Sequence, residues 1–398
     1  VNGVERQPVA EPRTSAPRVL FVLDTLATGG AEVSTLEIAR RLRRTRPVIC
    51  HLHPGNRLAG DFRRAGIRVY SLDVESRTDF WSMYRGLAGV VKEVSPALLH
   101  GTLFNSRLSC RLVGRTLRVP VLESFVNDDY GAARMGVLNR SQRLKVRAVR
   151  SIDTLTQGLA TAVLANSGSV KAAISRDLRL ASQRVHVIPR GRDPAAFESN
   201  GRSAAEARRA LGLPDDGQAI LSVGRLVPDK GHANVVRAVA GLHRQGVTPH
   251  LLIAGDGPLR SSIERLSQEL GISSYVHLLG DRADVPTLLR AADAFCLLSV
   301  REGMPGAILE AMMSGTPVVA SDIPSVRECL EHAGTGLLVA PEDVGKATDS
   351  LRDILADPRR ARALSAEARR RAHRDFSIDK IARQHDELYS EIINQTRA

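Results

Sequence analysis

Cysteine is scarce: Cys50, Cys110, Cys296 and Cys329 are the only four in 398 residues, widely separated and without a CxxC pair. That excludes a disulfide framework and suits a reducing cytoplasm. Aromatic residues make up 4% of the chain, so the stacking platforms that nucleic-acid binders use are poorly supplied. No uncharged apolar run reaches the roughly 18–20 residues that a bilayer-spanning helix needs. The opening VNGVERQPVAEPRTSAP has neither an apolar signal core nor a small-residue cleavage site, and residues 1–17 read as a disordered polar leader. Lysine is almost absent, with 6 among 56 basic residues. The remaining composition, 43% hydrophobic and 25% charged, is that of a globular protein and long enough for two domains.

The net charge of +13 is unevenly spread. Residues 1–195 hold 31 Lys and Arg against 16 Asp and Glu, a net +15, whereas residues 196–398 hold 25 against 27, a net −2. An anionic partner, whether nucleic acid, membrane surface or phosphorylated substrate, is therefore expected on the first half.

Short apolar runs alternate with helix-period segments along most of the chain. RVLFVLD (18–24), PVICHL (47–52), RVYSLDV (68–74), ALLHG (97–101), VPVLESF (119–125), TAVLANS (161–167) and RVHVIP (184–189) are strand candidates in the first half. AILSVG (219–224), HLLIAG (250–255), YVHLLG (275–280), AFCLLS (294–299), TPVVAS (316–321) and GLLVA (336–340) follow in the second. Their continuous apolar character predicts strands covered on both faces, and the helical segments between them (31–44 and 258–270, for example) predict parallel, doubly wound sheets. Two such sets imply two Rossmann-like domains, 18–195 and 196–375, joined through the Pro-, Gly- and Ser-punctuated stretch 193–217. Beyond them, 358–376 and 377–395 read as helices, and the segment 376–398 is expected to pack back on the N-terminal domain.

Ligands of open parallel sheets bind beyond the carboxyl ends of the strands, so the loops after strands carry the chemistry. Gly29 and Gly30 precede a helix, where bare amides can receive a phosphate, although a glycine pair can equally serve a turn. Neither this loop nor GDGPLR (255–260) is a Walker loop, because no Gly-Lys-Ser/Thr follows. In VGRLVPDKGH (223–232), Arg225 and Lys230 can converge on a diphosphate, Arg through its fork and Lys as a point charge. The densest segment is AFCLLSVREGMPGAILEAMMSGTPVVASDIPSVRE (294–328). There Glu302, Gly303, Met304, Pro305 and Gly306 lead into a helix bearing Glu310. Pro305 suits a helix start, and the amides that follow favour a phosphate. Glu302 can meet a sugar ring, and Glu310 can accept two hydroxyls of a ribose.

Glu302-x7-Glu310 within REGMPGAILEAMMSGTPVVASD closely resembles the donor motif of the family 4 retaining glycosyltransferases of GT-B fold. ATGGAE, HVIPRGRDPAAF, GRLVPDKG, AGDGPLR and LLGDRADVPTLLRAAD resemble further segments of that family in the same order, so the resemblance covers about residues 18–395. It implies an α/β chain of two facing Rossmann-like domains with a deep cleft between them and a helical C-terminal segment. It also implies a nucleotide-diphosphate sugar, most simply a UDP-sugar, as donor and a hydroxyl acceptor in glycan, glycolipid or secondary-metabolite synthesis. On this resemblance Arg225 and Lys230 neutralise the diphosphate, with Gly29, Gly30 and Gly255 close to it. Glu310 holds the ribose, Arg282 borders the base, and Glu302 with the backbone of Gly303 to Gly306 orients the sugar. No metal or other cofactor is implied, and the chain has no Asp-x-Asp site.

Departures from the family fall on the acceptor side. HGTLFNS places Thr102 and Asn105 where relatives often carry histidines after the equivalent of His100, and Arg190 replaces a common asparagine. His100, Thr102, Asn105 and Arg190 are nonetheless the acceptor-side candidates. His51 and His53 share a strand face without an evident third metal ligand. Residues 131–150 carry six basic residues and no acid, which nominates an anionic or lipid-linked acceptor, or peripheral contact with the inner membrane face. Rival readings are a sugar-nucleotide epimerase on a similar scaffold, a non-catalytic nucleotide-sugar-binding protein and a basic nucleic-acid binder. The last is disfavoured by the lack of a nucleic-acid motif.

Overall fold

The computed structural model describes residues 16–27, 29–136, 138–198, 204–214 and 217–397. Most of the leader expected over 1–17 therefore lies outside the described residues. Each apolar run becomes a strand: β1 Arg18–Leu23, β2 Arg46–His51, β3 Arg68–Ser71, β4 Leu98–Gly101, β5 Val121–Phe125, β6 Ala162–Ala165 and β7 Val185–Val187, then β8 Ala219–Val223, β9 His250–Ala254, β10 Val276–Gly280, β11 Ala294–Leu297, β12 Val318–Ser321 and β13 Leu337–Val339. All pair in parallel, in two sheets ordered β3-β2-β1-β4-β5-β6-β7 and β10-β9-β8-β11-β12-β13. Both faces of each sheet are covered by helices, which is why the central strands are mostly apolar rather than alternating.

The chain forms two compact units, Val1–Gly191 with Ile378–Ala398, and Arg192–Ser377. The crossings thus lie at 191/192 and 377/378, against 195/196 and 375/376 expected from sequence. The stretch 193–217, expected to join the domains, belongs instead to the second unit wherever it is described. Phe197 is buried in that unit's core, and Arg208, on the helix Ala204–Ala210, is fixed by Asp293 at 2.6 Å. The final helix, Ile378–Arg397, is part of the first unit. Its Asp386 accepts hydrogen bonds from the Arg43 and Arg44 amides (2.6 and 3.0 Å) and the Thr45 hydroxyl (2.7 Å). That capture turns the chain early, so the helix expected over 31–44 is confined to Gly30–Ala39.

In each sheet the strand order reverses direction between two neighbours, β1 and β4 in the first and β8 and β11 in the second. Loops leaving such a pair diverge to opposite sides and open a crevice at the carboxyl edge. The segments after β1, β4, β8 and β11 hold most of the residues singled out above, while Arg190, Gly255 and Arg282 follow β7, β9 and β10.

Candidate functional site

In the second unit, the loop after β8 is built to dock on the segment after β11. Gly231, with φ of +67°, ends the turn Pro228–Lys230 and starts the helix His232–Arg244. A Cβ there would fall 1.9 Å from the Leu298 carbonyl oxygen, so only glycine permits this approach. The Val300 amide donates to the Asp229 carbonyl at 3.0 Å, and Arg301 pairs with the Asp229 carboxylate. This docking brings Lys230 to Glu302: Nζ donates to Oε1 at 2.6 Å, and the Ser299 hydroxyl donates to the same oxygen at 2.8 Å. Arg225, on the same loop, is exposed and has no side-chain partner among the described residues.

Sequence reasoning missed His232. Its ring is buried, with Nδ1 against the Ser222 hydroxyl and Nε2 against the Gly224 carbonyl, each at 3.2 Å. Burial pushes its pKa down to about 4, with the Lys230 charge adding to the effect, so the neutral ring supports the carbonyl just before Arg225. The only sequence signal was a polar residue opening an apolar helix. Gly255, with φ of +135°, lies where a Cβ would meet the Gly224 carbonyl oxygen at 2.1 Å, and its amide donates to Gly280. It therefore shapes the neighbouring loop by close backbone contact.

The helix Gly306–Ser314 starts after Pro305, and no side chain caps its first turn. Its N-terminal amides therefore keep the anion preference of a bare helix end. Gly303, Met304 and Pro305 are buried, with the Met304 side chain inside the core, so this loop contributes backbone rather than the Met304 side chain. Glu310 is the one charged residue of this otherwise apolar helix, and it pairs with Arg192 at 2.7 Å. Arg282 is engaged by Asp284 through two hydrogen bonds of 2.7 and 2.6 Å.

The first unit holds the remaining candidates. Gly29 caps the helix Gly30–Ala39, but a Cβ on it would meet Glu32 Oε2 at 2.2 Å, so a carboxylate of the same helix already lies at this helix start. Burial and the nearby Asp24 charge raise the Glu32 carboxyl above its usual range. Glu32 was not singled out from sequence, although an acid in a first helical turn is a recognisable pattern. Arg190 reaches the same loop, with Nη1 3.0 Å from where a Gly30 Cβ would stand.

His100, expected on the acceptor side, is an internal tie. Nδ1 meets the Tyr389 hydroxyl at 2.9 Å and Nε2 the Ser124 hydroxyl at 2.6 Å. Burial, reinforced by the nearby His385, pushes its pKa down to about 3. Both nitrogens are used, so in this geometry neither is open to an acceptor. Thr102 and Asn105 are buried as well. Asn105 Nδ2 donates to His53 Nε2 at 2.9 Å and to the Arg77 carbonyl at 3.1 Å, and His53 Nδ1 donates to the Val74 carbonyl at 2.7 Å. Asp24, raised by burial against the pull of Ser106, accepts the Ser106 amide at 3.0 Å beside them. Among the described residues no group of three or more His, Cys, Asp or Glu is placed to hold a metal ion.

Two successive units, each built on a parallel, doubly wound sheet, are the architecture of the GT-B class of glycosyltransferases. The pattern described as "Glycosyl transferase 4-like domain" matches residues 29–191, and that described as "Glycosyl transferases group 1" matches residues 203–371. The chain belongs to family 4 of the glycosyltransferases. EpsF of Bacillus subtilis, a glycosyltransferase by name, is 28% identical over 82% of this chain and 83% of its own length. The D-inositol 3-phosphate glycosyltransferase of Thermobispora bispora is 34% identical over 54% of this chain, and the match spans about half (52%) of that enzyme. The solved structure of HepE from Anabaena, in complex with UDP and glucose, superposes with a TM-score of 0.82 at 21% identity, covering 94% of this chain and all (100%) of that one.

Proposed function

We propose that this chain is a retaining glycosyltransferase that moves a sugar from a UDP-sugar to a hydroxyl acceptor, without a metal ion or other cofactor. The observation that carries this reading is the Lys230–Glu302–Ser299 cluster beside the uncapped start of the helix Gly306–Ser314. One cation, one sugar-facing carboxylate and bare amides there match the needs of a sugar diphosphate. The choice of UDP draws support from HepE, which was solved with UDP and glucose.

In this reading Arg225 and Lys230 bind the diphosphate, and the amides of Met304 and Gly306 with Glu302 orient the sugar. Glu310 holds the ribose, Arg282 borders the base, and Gly29, Gly30 and Gly255 let backbone approach the donor. The acceptor hydroxyl attacks the anomeric carbon on the face the diphosphate leaves. Its proton passes to the departing diphosphate oxygen, so the configuration is retained. The negative charge that grows on the leaving group is what Arg225 and Lys230 stabilise, which makes them the main catalytic contributors. Incubation of donor sugars with a panel of hydroxyl acceptors, with NMR of the new anomeric centre, tests this. The expected product keeps the donor's configuration and Lys230→Ala slows its formation by at least about 100-fold, whereas an inverted product excludes the mechanism.

The acceptor side is assigned to the first unit, whose helix Arg140–Thr156 exposes Arg140, Arg143, Lys145 and Arg147 together with Leu144 and Leu155. That surface supports an anionic or lipid-linked acceptor, and peripheral contact with an anionic inner membrane face in an otherwise cytoplasmic protein. The four unpaired cysteines suit that compartment. Vesicle sedimentation checks the contact: more protein is expected on anionic than on neutral vesicles, and equal partitioning removes it.

A further inference from the structure

The partner of Glu310 was not visible in the sequence. Arg192 Nε donates to Glu310 Oε1 at 2.7 Å, and both side chains are largely withdrawn from solvent, 9% and 18% exposed. Oε2 has no hydrogen-bond partner among the described residues. The guanidinium is held from a point independent of the helix that bears Glu310: the Arg192 amide donates to the Phe376 carbonyl at 2.9 Å, and Arg192 forms an isolated parallel bridge with Ser377. A few residues on, the turn Pro194–Phe197 buries Phe197 in the same core as Ile308 and Leu309 of that helix. Backbone and side chain of this segment are thus both fixed against the helix from Gly306 to Ser314.

We propose that Arg192 is a positioning residue that aims the Glu310 carboxylate at the 2′- and 3′-hydroxyls of a nucleotide ribose, and so sets a preference for ribonucleotide over deoxyribonucleotide donors. This rests on the reading of Glu310 as the ribose acceptor. A glutamate side chain alone samples several rotamers, and ordering it on binding weakens the hydrogen bonds it makes. A guanidinium held on one oxygen removes that freedom beforehand, with Oε2 left for a donor hydroxyl. Arg192 itself need not touch the ligand.

Calorimetric titration of the full chain with UDP, GDP and ADP, each against its 2′,3′-dideoxy counterpart, tests the proposal. The parent is expected to bind one ribonucleotide more tightly than its dideoxy form, and Glu310→Gln to erase that preference. Arg192→Gln is expected to reduce the preference about tenfold, through loss of affinity for the ribonucleotide alone, with Arg192→Lys intermediate. Equal weakening of both forms in Arg192→Gln would show a merely structural ion pair and overturn the proposal. So would an unchanged preference in Arg192→Gln alongside its loss in Glu310→Gln. A preference that survives Glu310→Gln, or a parent that binds none of the six, instead removes the underlying reading of the site and the proposal with it. Thermal melting of each variant establishes that it is folded, and Arg192→Lys carries the test if Arg192→Gln is not.

Discussion

Lys230, Glu310 and Arg282 each meet an opposite charge of their own unit, in Glu302, Arg192 and Asp284, while Arg225 stands exposed without one among the described residues. On the proposed donor reading, a diphosphate at this loop would find Arg225 ready and share Lys230 with Glu302. Arg225→Gln is accordingly expected to weaken nucleoside diphosphate binding by about tenfold or more, and to flatten its salt dependence, by calorimetry at two ionic strengths. The buried histidines make a second prediction. The unfolded chain takes up protons on histidine near pH 6.5, whereas burial keeps His100 neutral to about pH 3 and His232 and His385 to about pH 4. Below pH 6.5 protons then favour the unfolded state, so stability is complete above that value and falls as the pH drops toward 4. Urea unfolding at pH 7.5 and 4.5 checks this. His100→Gln is expected to be less stable at neutral pH yet to lose less on acidification, and an unchanged acid slope would contradict the assignment.

At the scale of elements, two contacts decide how the loops and helices are held. Gly231→Ala places a Cβ against the Leu298 carbonyl and strains a positive φ, so the loop bearing Arg225 and Lys230 must lift. The expected result is a loss above about 1 kcal/mol in stability together with weaker nucleotide binding. In the first unit the exposed basic helix Arg140–Thr156 packs Val146 and Val149 on the core and buries one residue fully, Asp153, which pairs with Arg107 at 2.7 Å and Arg111 at 2.6 Å and accepts from Tyr130. Burial alone would raise the Asp153 carboxyl, but the two guanidinium groups hold it below its usual range. Asp153→Ala leaves two buried cations short of a partner and is expected to cost about 3–5 kcal/mol in chemical unfolding.

Strand positions were legible because continuous apolar runs of β-branched and aliphatic residues have few other uses. Glu302, Lys230 and Glu310 were legible because charges are conspicuous after such strands. The ion pairs were not, since Arg192 and Glu310 are 118 residues apart and Arg111 and Asp153 are 42 apart, and only folding brings them together. The partner of His100 was hidden for the same reason: Tyr389 arrives from the last helix.

For the molecule as a whole, two successive parallel sheets each present a pair of switch strands, and charge divides along the chain with them, a net +15 over residues 1–195 against −2 over 196–398. The excess positive charge lies in the first unit's stretch of chain. Family membership fixes the class of reaction, and the donor is the part of the account on which every residue role depends. Thermal shift across nucleoside diphosphates and their sugars, comparing the parent with Lys230→Ala, tests it most directly. A ligand that binds only the folded state raises apparent stability by mass action. Stabilisation by one nucleotide family, UDP foremost, and its loss in Lys230→Ala is the predicted result. A parent that responds to none of them, or a variant that responds as strongly as the parent, would contradict the assignment.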